Sequence, residues 1–426
     1  MKLTSQLHAY AEETLSGDYI LATYYTETPV EADIHERAGS LAIGQTIGTW
    51  TPVPGITEDM LAHHMARVIS VYDVPPTELT TDLRGDRRAF ILQLAFPTAN
   101  LGSSWPMILT TLLGNDVSTS MQLKLLDIQV PASLAVSFGG PRFGVQGMRQ
   151  LTHVPKRPLL LNVLKPCTGF PSEAAVPWFE ESARGGTDVI KDDELLGNPS
   201  FNQVLRRVGL FKQAAERVFQ DTGHRTLYCA NVTERADIAL ENARKAVDLG
   251  ADMVMINAVF SGLGVLQALA ADPRVNVPIL AHFAGFATMT EAQHSGLSSP
   301  LLLGKLMRLA GADAISFTSP YSAYPLLREK FLRSAQLMSL PLYELRPALP
   351  VPGGGIHPAT ARRLIEDLGP DIMLSVGGAI QGHPGGATAG ARAMLAALEA
   401  STEGISLEEK AKEVHDLRVA LEKWGA

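Results

Sequence analysis

The sequence predicts an α/β protein: a C-terminal (β/α)8 TIM barrel preceded by a smaller α+β domain of the ferredoxin-like kind. Three observations carry that prediction. From residue 157 onward, eight short runs are apolar throughout, the pattern of parallel strands covered on both faces. Helical stretches separate them, among them 201–221, 235–249 and 301–310. The glycine-rich passage Phe138 to Gly144 marks a change of rhythm, from mixed elements to a repeated strand, loop and helix. About eight such units is the count that closes a barrel. The expected domains are residues 1–135 and 136–426, the second ending in a helical extension.

In the first domain, Asp18 to Thr28 is rich in aromatic and β-branched residues and predicts a strand. Glu31 to Ile43 predicts a helix, and Gly44 to Thr51 a turn-rich passage. Arg88 to Phe96 and Met121 to Val130 predict two further strands. Trp105 to Leu113 predicts a helix that stops at Gly114-Asn115. In the barrel, the strand runs begin at Arg157, Thr187, Thr226, Asp252, Val277, Asp313, Ala348 and Asp371.

A barrel of this kind keeps its chemistry at the C-terminal ends of its strands, and phosphate sites often follow the seventh and eighth. Lys165 ends the first strand; Lys191, Asp193 and Glu194 end the second. Asn231 follows the third and His282 ends the fifth. Gly353-Gly354-Gly355 and Gly377-Gly378 end the last two. Three carboxylates beside a lysine repel one another unless a cation or solvent relieves them, and hard oxygens suit Mg²⁺. Taken alone, K-D-D-E reads as a solvated acidic turn; its place at a barrel strand end reverses that reading. The glycines serve either as turn punctuation or as backbone N–H groups cleared for a phosphate. Lys165 is either a snorkelling lysine or a proton-transfer group, and His282 either a ligand or acid/base residue or a satisfied core histidine. Thr49 and Trp50 read, by composition, as packing residues.

The 426 residues are 46% hydrophobic, enough for a large core, and the net charge of −8 without a basic block argues against nucleic acid. No apolar run approaches the roughly 18 to 20 residues a membrane span needs, and the start lacks a signal-peptide core. Two cysteines make no disulfide framework. The expectation is a cytoplasmic enzyme of small-molecule metabolism.

The stretch GGTDVIKDDE (185–194) resembles the G-G-x-D-x-x-K-D-D-E signature of the ribulose-bisphosphate carboxylase (RuBisCO) large-chain superfamily, and the similarity runs along nearly the whole chain. The resemblance implies a carbamylated Lys191 binding Mg²⁺ with Asp193 and Glu194. LNVLKPCTG is similar to T-x-K-P-K-x-G and implies that Lys165 moves the proton. TIGTWT resembles a phosphate-contacting T-G-T-W-T, which implicates Thr49 and Trp50. VGGAIQGHPGG is similar to the glycine-rich phosphate loop, implying Gly377 and Gly378 with Gly355. LLGN places the family's asparagine near the metal at Asn115. The resemblance further implies a homodimer, or an oligomer of dimers, with shared active sites.

The departures are equally informative. The family's H-R pair is His282-Phe283 here, a histidine of H-x-H is Ser316, and the serine of S-G-G is Gly353. The loop after the sixth strand, Pro320 to Pro325, has no lysine, and the glutamate that partners it falls at Gly44. One phosphate site survives and the second does not. These changes identify the chain as a RuBisCO-like (form IV) protein for a monophosphorylated substrate, without CO₂ fixation. The first expectation is decarboxylation or isomerisation of a keto-sugar or keto-sugar acid such as 3-oxo-isoapionate 4-phosphate. The alternative is the 2,3-diketo-5-methylthiopentyl-1-phosphate enolase of methionine salvage, whose base lysine corresponds to Asn115 here. A further alternative is a non-catalytic relic with a binding role.

Overall fold

The computed structural model describes residues 7–15, 17–49, 51, 53–83 and 85–425. Trp50, expected at the phosphate, lies outside the described residues. Two compact units form: Met1–Phe138 with Gly285–Leu302, and Gly139–Ala284 with Leu303–Ala426.

The first unit is built on a four-stranded sheet of β1 (Tyr19–Pro29), β2 (Arg67–Val74), β3 (Arg87–Pro97) and β4 (Lys124–Gln129). The order is β2-β3-β1-β4 and every neighbouring pair is antiparallel. That is the split βαβ arrangement of a ferredoxin-like domain. β1 alternates buried and half-buried residues along most of its length, so one face takes the core. Its helix starts later than the sequence suggests, at Ile34, because the Asp33 carboxylate accepts from the His35 and Glu36 N–H groups and caps it. The helix Trp105–Leu113 lies where expected, with Pro106 in its first turn. β4 begins only at Lys124, since Gln122 takes a left-handed backbone (φ 53°) after the turn Asp116–Ser120. β2 was not expected. Its only fully buried residue is Val68, so the apolar run that marks a central strand is missing; the β-branched and aromatic content of RVISVYDV was the available signal.

The second unit is a closed parallel barrel. Its strands are β5 (Leu159–Val163), β6 (Val189–Lys191), β7 (Leu227–Asn231), β8 (Met253–Asn257), β9 (Ile279–His282), β10 (Ala314–Thr318), β11 (Leu349–Gly353) and β12 (Met373–Val376). All eight predicted runs are strands. Inward positions such as Leu161, Val189, Cys229, Met255, Leu280 and Val351 share one apolar cluster with Val145 and Met148 of the helix Gly144–Thr152. That helix sits at the N-terminal end, where the Asp313 carboxylate, just ahead of β10, accepts the N–H groups of Phe143, Gly144 and Ile279 at 2.5, 2.9 and 2.9 Å. Burial pushes the Asp313 carboxyl up despite those donors. The chain ends in three helices, Gly386–Glu403, Leu407–Glu413 and His415–Trp424.

Candidate active site

β6 delivers Lys191 to the mouth of the barrel, and the following three acids take different duties. Asp192 is fully buried and consumed by the fold. It pairs with Arg207 at 3.0 Å, accepts the Tyr228 hydroxyl at 2.8 Å and accepts the Asn231 N–H at 2.9 Å. Burial, with the Asp192 charge beside it, drives the Tyr228 hydroxyl well above its ordinary pKa. Asp193 and Glu194 turn instead toward the two lysines.

The Lys165 ammonium donates to Asp193 Oδ2 at 2.5 Å and to Cys167 Sγ at 3.1 Å. Burial works against its charge, but these partners outweigh that and hold its pKa above the usual lysine value. Asp193 is the mirror case. Burial would raise it, and the Lys165 hydrogen bond with that of the Leu195 N–H pulls it below the usual carboxylate range. Lys191 is 1% exposed; its Nζ donates to the Asp192 carbonyl at 2.9 Å and stands 3.7 Å from Glu194 Oε2. His282 places Nε2 3.6 Å from the same Glu194 oxygen. Its Nδ1 accepts the Ala284 N–H at 3.2 Å, so in a neutral ring the proton sits on Nε2. Burial, then the charges of Lys191 and Lys165, push its pKa well down, which keeps the ring neutral.

Two asparagines hold this turn. Asn231 Nδ2 donates to the carbonyls of Asp193 (3.1 Å) and Glu194 (3.4 Å), and Asn257 Nδ2 to that of Glu194 (2.9 Å). Asn257 was overlooked in the sequence; a polar residue closing the apolar run DMVMIN was the signal.

Across the mouth, a Cβ placed on Gly377 would stand 3.2 Å from Lys165 Cε, and one on Gly353 would stand 3.3 Å from Ser375 Cβ. Gly354 and Gly355 have left-handed backbones (φ 92° and 74°), and Gly378 starts a short helix beside open space. The barrel therefore brings together Lys165, Lys191, Asp193, Glu194, His282 and the glycines 353–355 and 377–378 at its strand ends. Thr49 and Asn115 belong to the first unit, where both are exposed. The Phe283 ring stacks on His282 (centroids 4.8 Å apart), and the Phe283 backbone N–H donates to Ser316 Oγ at 3.3 Å.

As a metal site, the donor set is two hard carboxylates. Among the described residues no three His, Cys, Asp or Glu side chains gather as a ready-made metal site. An ammonium at Lys191 would repel a cation. Addition of CO₂ to its free amine, with loss of a proton, would give an anionic carbamate and complete a three-oxygen set of the kind that suits Mg²⁺.

The model of the ribulose bisphosphate carboxylase large chain N-terminal domain matches residues 9–134, and that of its catalytic domain residues 144–424. A ribulose bisphosphate carboxylase-like protein of Archaeoglobus fulgidus is 41% identical over 404 residues, 95% of this chain and 92% of that protein. A 2,3-diketo-5-methylthiopentyl-1-phosphate enolase of Geobacillus kaustophilus is 37% identical over 407 residues, 95% of this chain and 98% of that enzyme. Among solved structures, a rubisco-like protein of Alicyclobacillus acidocaldarius matches with a TM-score of 0.88 and 37% identity, covering 96% of this chain and 100% of that one.

Proposed function

The chain belongs to the ribulose bisphosphate carboxylase large-chain family, as a RuBisCO-like member, and from that premise we propose that it forms an enolate from a monophosphorylated keto substrate without fixing CO₂. The observation that carries this is the Lys165–Asp193 contact of 2.5 Å beside Lys191, Glu194 and His282 at the barrel mouth. Carbamylated Lys191, Asp193 and Glu194 would hold Mg²⁺. When bound, that ion supplies positive charge against the negative charge that builds on the substrate oxygens. Lys165 is the proton carrier. Paired with Asp193 it is held as the ammonium and is an acid; it becomes a base at neutral pH only when that hold weakens. Neutral His282 presents an N–H donor toward the reacting oxygens. The glycine backbones at β11 and β12 take the phosphate. A second phosphate would meet the Phe283 ring where a cation is needed, and an unpaired buried charge of that kind costs several kcal/mol, on the order of 3 to 5.

Between the two chemistries expected from the sequence, the relatives favour the diketone enolase over the keto-sugar acid. Asn115, standing where the resemblance puts that enolase's lysine, keeps the keto-sugar acid as the second reading. The protein loaded with Mg²⁺ and bicarbonate is offered 2,3-diketo-5-methylthiopentyl 1-phosphate and 3-oxo-isoapionate 4-phosphate, with exchange from deuterated water and CO₂ release monitored. Exchange on the diketone supports the first reading, and CO₂ release from the second compound the other. Absence of both leaves a relic, and substantial carboxylation of ribulose bisphosphate would refute the whole proposal. The protein works in the cytoplasm as a homodimer or an oligomer of dimers, Thr49 and Asn115 reaching the site from a second copy. Among the described residues no helix is long and apolar enough to cross a membrane.

A further inference from the structure

The segment between β10 and the helix Arg328–Ser339 is tied down from inside and outside. Within it, Thr318 Oγ1 bonds Ser322 Oγ and the Tyr324 carbonyl, each at 2.5 Å. The N–H groups of Tyr321 and Tyr324 donate to Ser319 Oγ and Ser322 Oγ at 3.2 and 3.1 Å. Outside it, the Tyr321 hydroxyl donates to Asp367 Oδ2 at 2.9 Å, on the helix Pro358–Leu368. Asp367 is itself held by Arg328 at 2.5 Å, and the Arg363 guanidinium lies 5.5 Å from the Tyr321 ring centroid. The anchored segment leans on the glycine turn after β11. A Cβ on Gly354 would come within 2.9 Å of Ser322 Cβ, and one on Gly355 would stand 3.8 Å from the Ala323 nitrogen.

We propose that Tyr321 is a positioning residue whose bond to Asp367 makes the β10 segment a fixed wall of the phosphate cradle, with the Ala323 N–H joining those of Gly354 and Gly355. The inference rests on the one-phosphate reading and deepens it. A loop with no anchor orders itself on each binding event at the expense of affinity; an anchored one has lost that freedom already. Prolines at 320 and 325 restrict the same segment further.

The test compares the full-length protein with Tyr321→Phe, which keeps the ring for Arg363 and removes only the hydroxyl. Inorganic phosphate is titrated calorimetrically, and hydrogen exchange is followed over 319–327. The expected result is roughly 10-fold weaker phosphate binding, as for one lost bond to a charged group, together with faster exchange in the segment. KM for the phosphorylated substrate rises likewise, while kcat changes less than about twofold, the split expected when only binding is touched. A Tyr321→Phe protein with unchanged phosphate affinity overturns the proposal, whether or not exchange speeds up. If the unaltered protein binds no phosphate, the one-phosphate reading falls and takes the wall's role with it. Asp367→Asn keeps an acceptor for the hydroxyl and should fall between the two; an effect larger than that of Tyr321→Phe would place the anchor in the Arg328 pair instead.

Discussion

Single residues divide the K-D-D-E turn into chemistry and scaffold, and substitutions should separate the two. Asp192→Asn strips the charge opposite buried Arg207, so the protein should lose about 3 kcal/mol of stability, measured by urea unfolding. A stability unchanged within about 0.5 kcal/mol would show that its other acceptors, the Asn202, Leu196 and Gly197 carbonyls, suffice to hold Arg207. Lys165→Met should slow proton exchange on the substrate at least ~100-fold with little effect on phosphate binding, the range for a removed acid/base group. The opposite pattern would make Lys165 a phosphate ligand. Lys191→Ala should abolish the activity that depends on Mg²⁺ and bicarbonate; full activity in that variant would remove the carbamate from the scheme. The sequence displayed these residues because they are contiguous. Which acid is structural was not visible in it, since the answer lies in Arg207, Tyr228 and Asn231, brought in from another helix and strand.

Among the elements, the barrel strands were legible for one physical reason: covered on both faces, they are buried at nearly every position and so show as short, mostly apolar runs. β2 escaped because it is an edge strand with little to bury. The glycine turn after β11 was visible as a motif, but its tight fit was not. Gly354 combines φ 92° with the 2.9 Å approach of Ser322, so Gly354→Ala meets both backbone strain and a clash. That variant should cost roughly 1 to 2 kcal/mol and weaken phosphate binding. Thermal unfolding with and without phosphate checks both effects, and an alanine protein of unaltered stability would mean that the turn relaxes freely.

For the molecule as a whole, the proposal of a site shared between copies has a direct test. Lys191→Ala and Asn115→Ala proteins, each inactive alone, are mixed under conditions that exchange subunits. Recovery of about a quarter to a half of the sites' activity is expected if one copy lends its first unit to the other's barrel, as symmetric pairing requires. No recovery with proven exchange would confine the site to one chain. The sequence carried the family and both units, yet no stretch of it could show a relation between separate chains.

The helix Gly144–Thr152 has a consequence for traffic. Val145 and Met148 join the apolar filling that runs inward from the floor of the barrel, side chains that offer water no hydrogen-bonding partner. If Lys165 carries the proton as proposed, an apolar floor leaves the open end of the barrel, where substrate and product pass, as the route for that proton too. Chemistry and exchange with the surroundings share one doorway, and whatever occupies that doorway controls both.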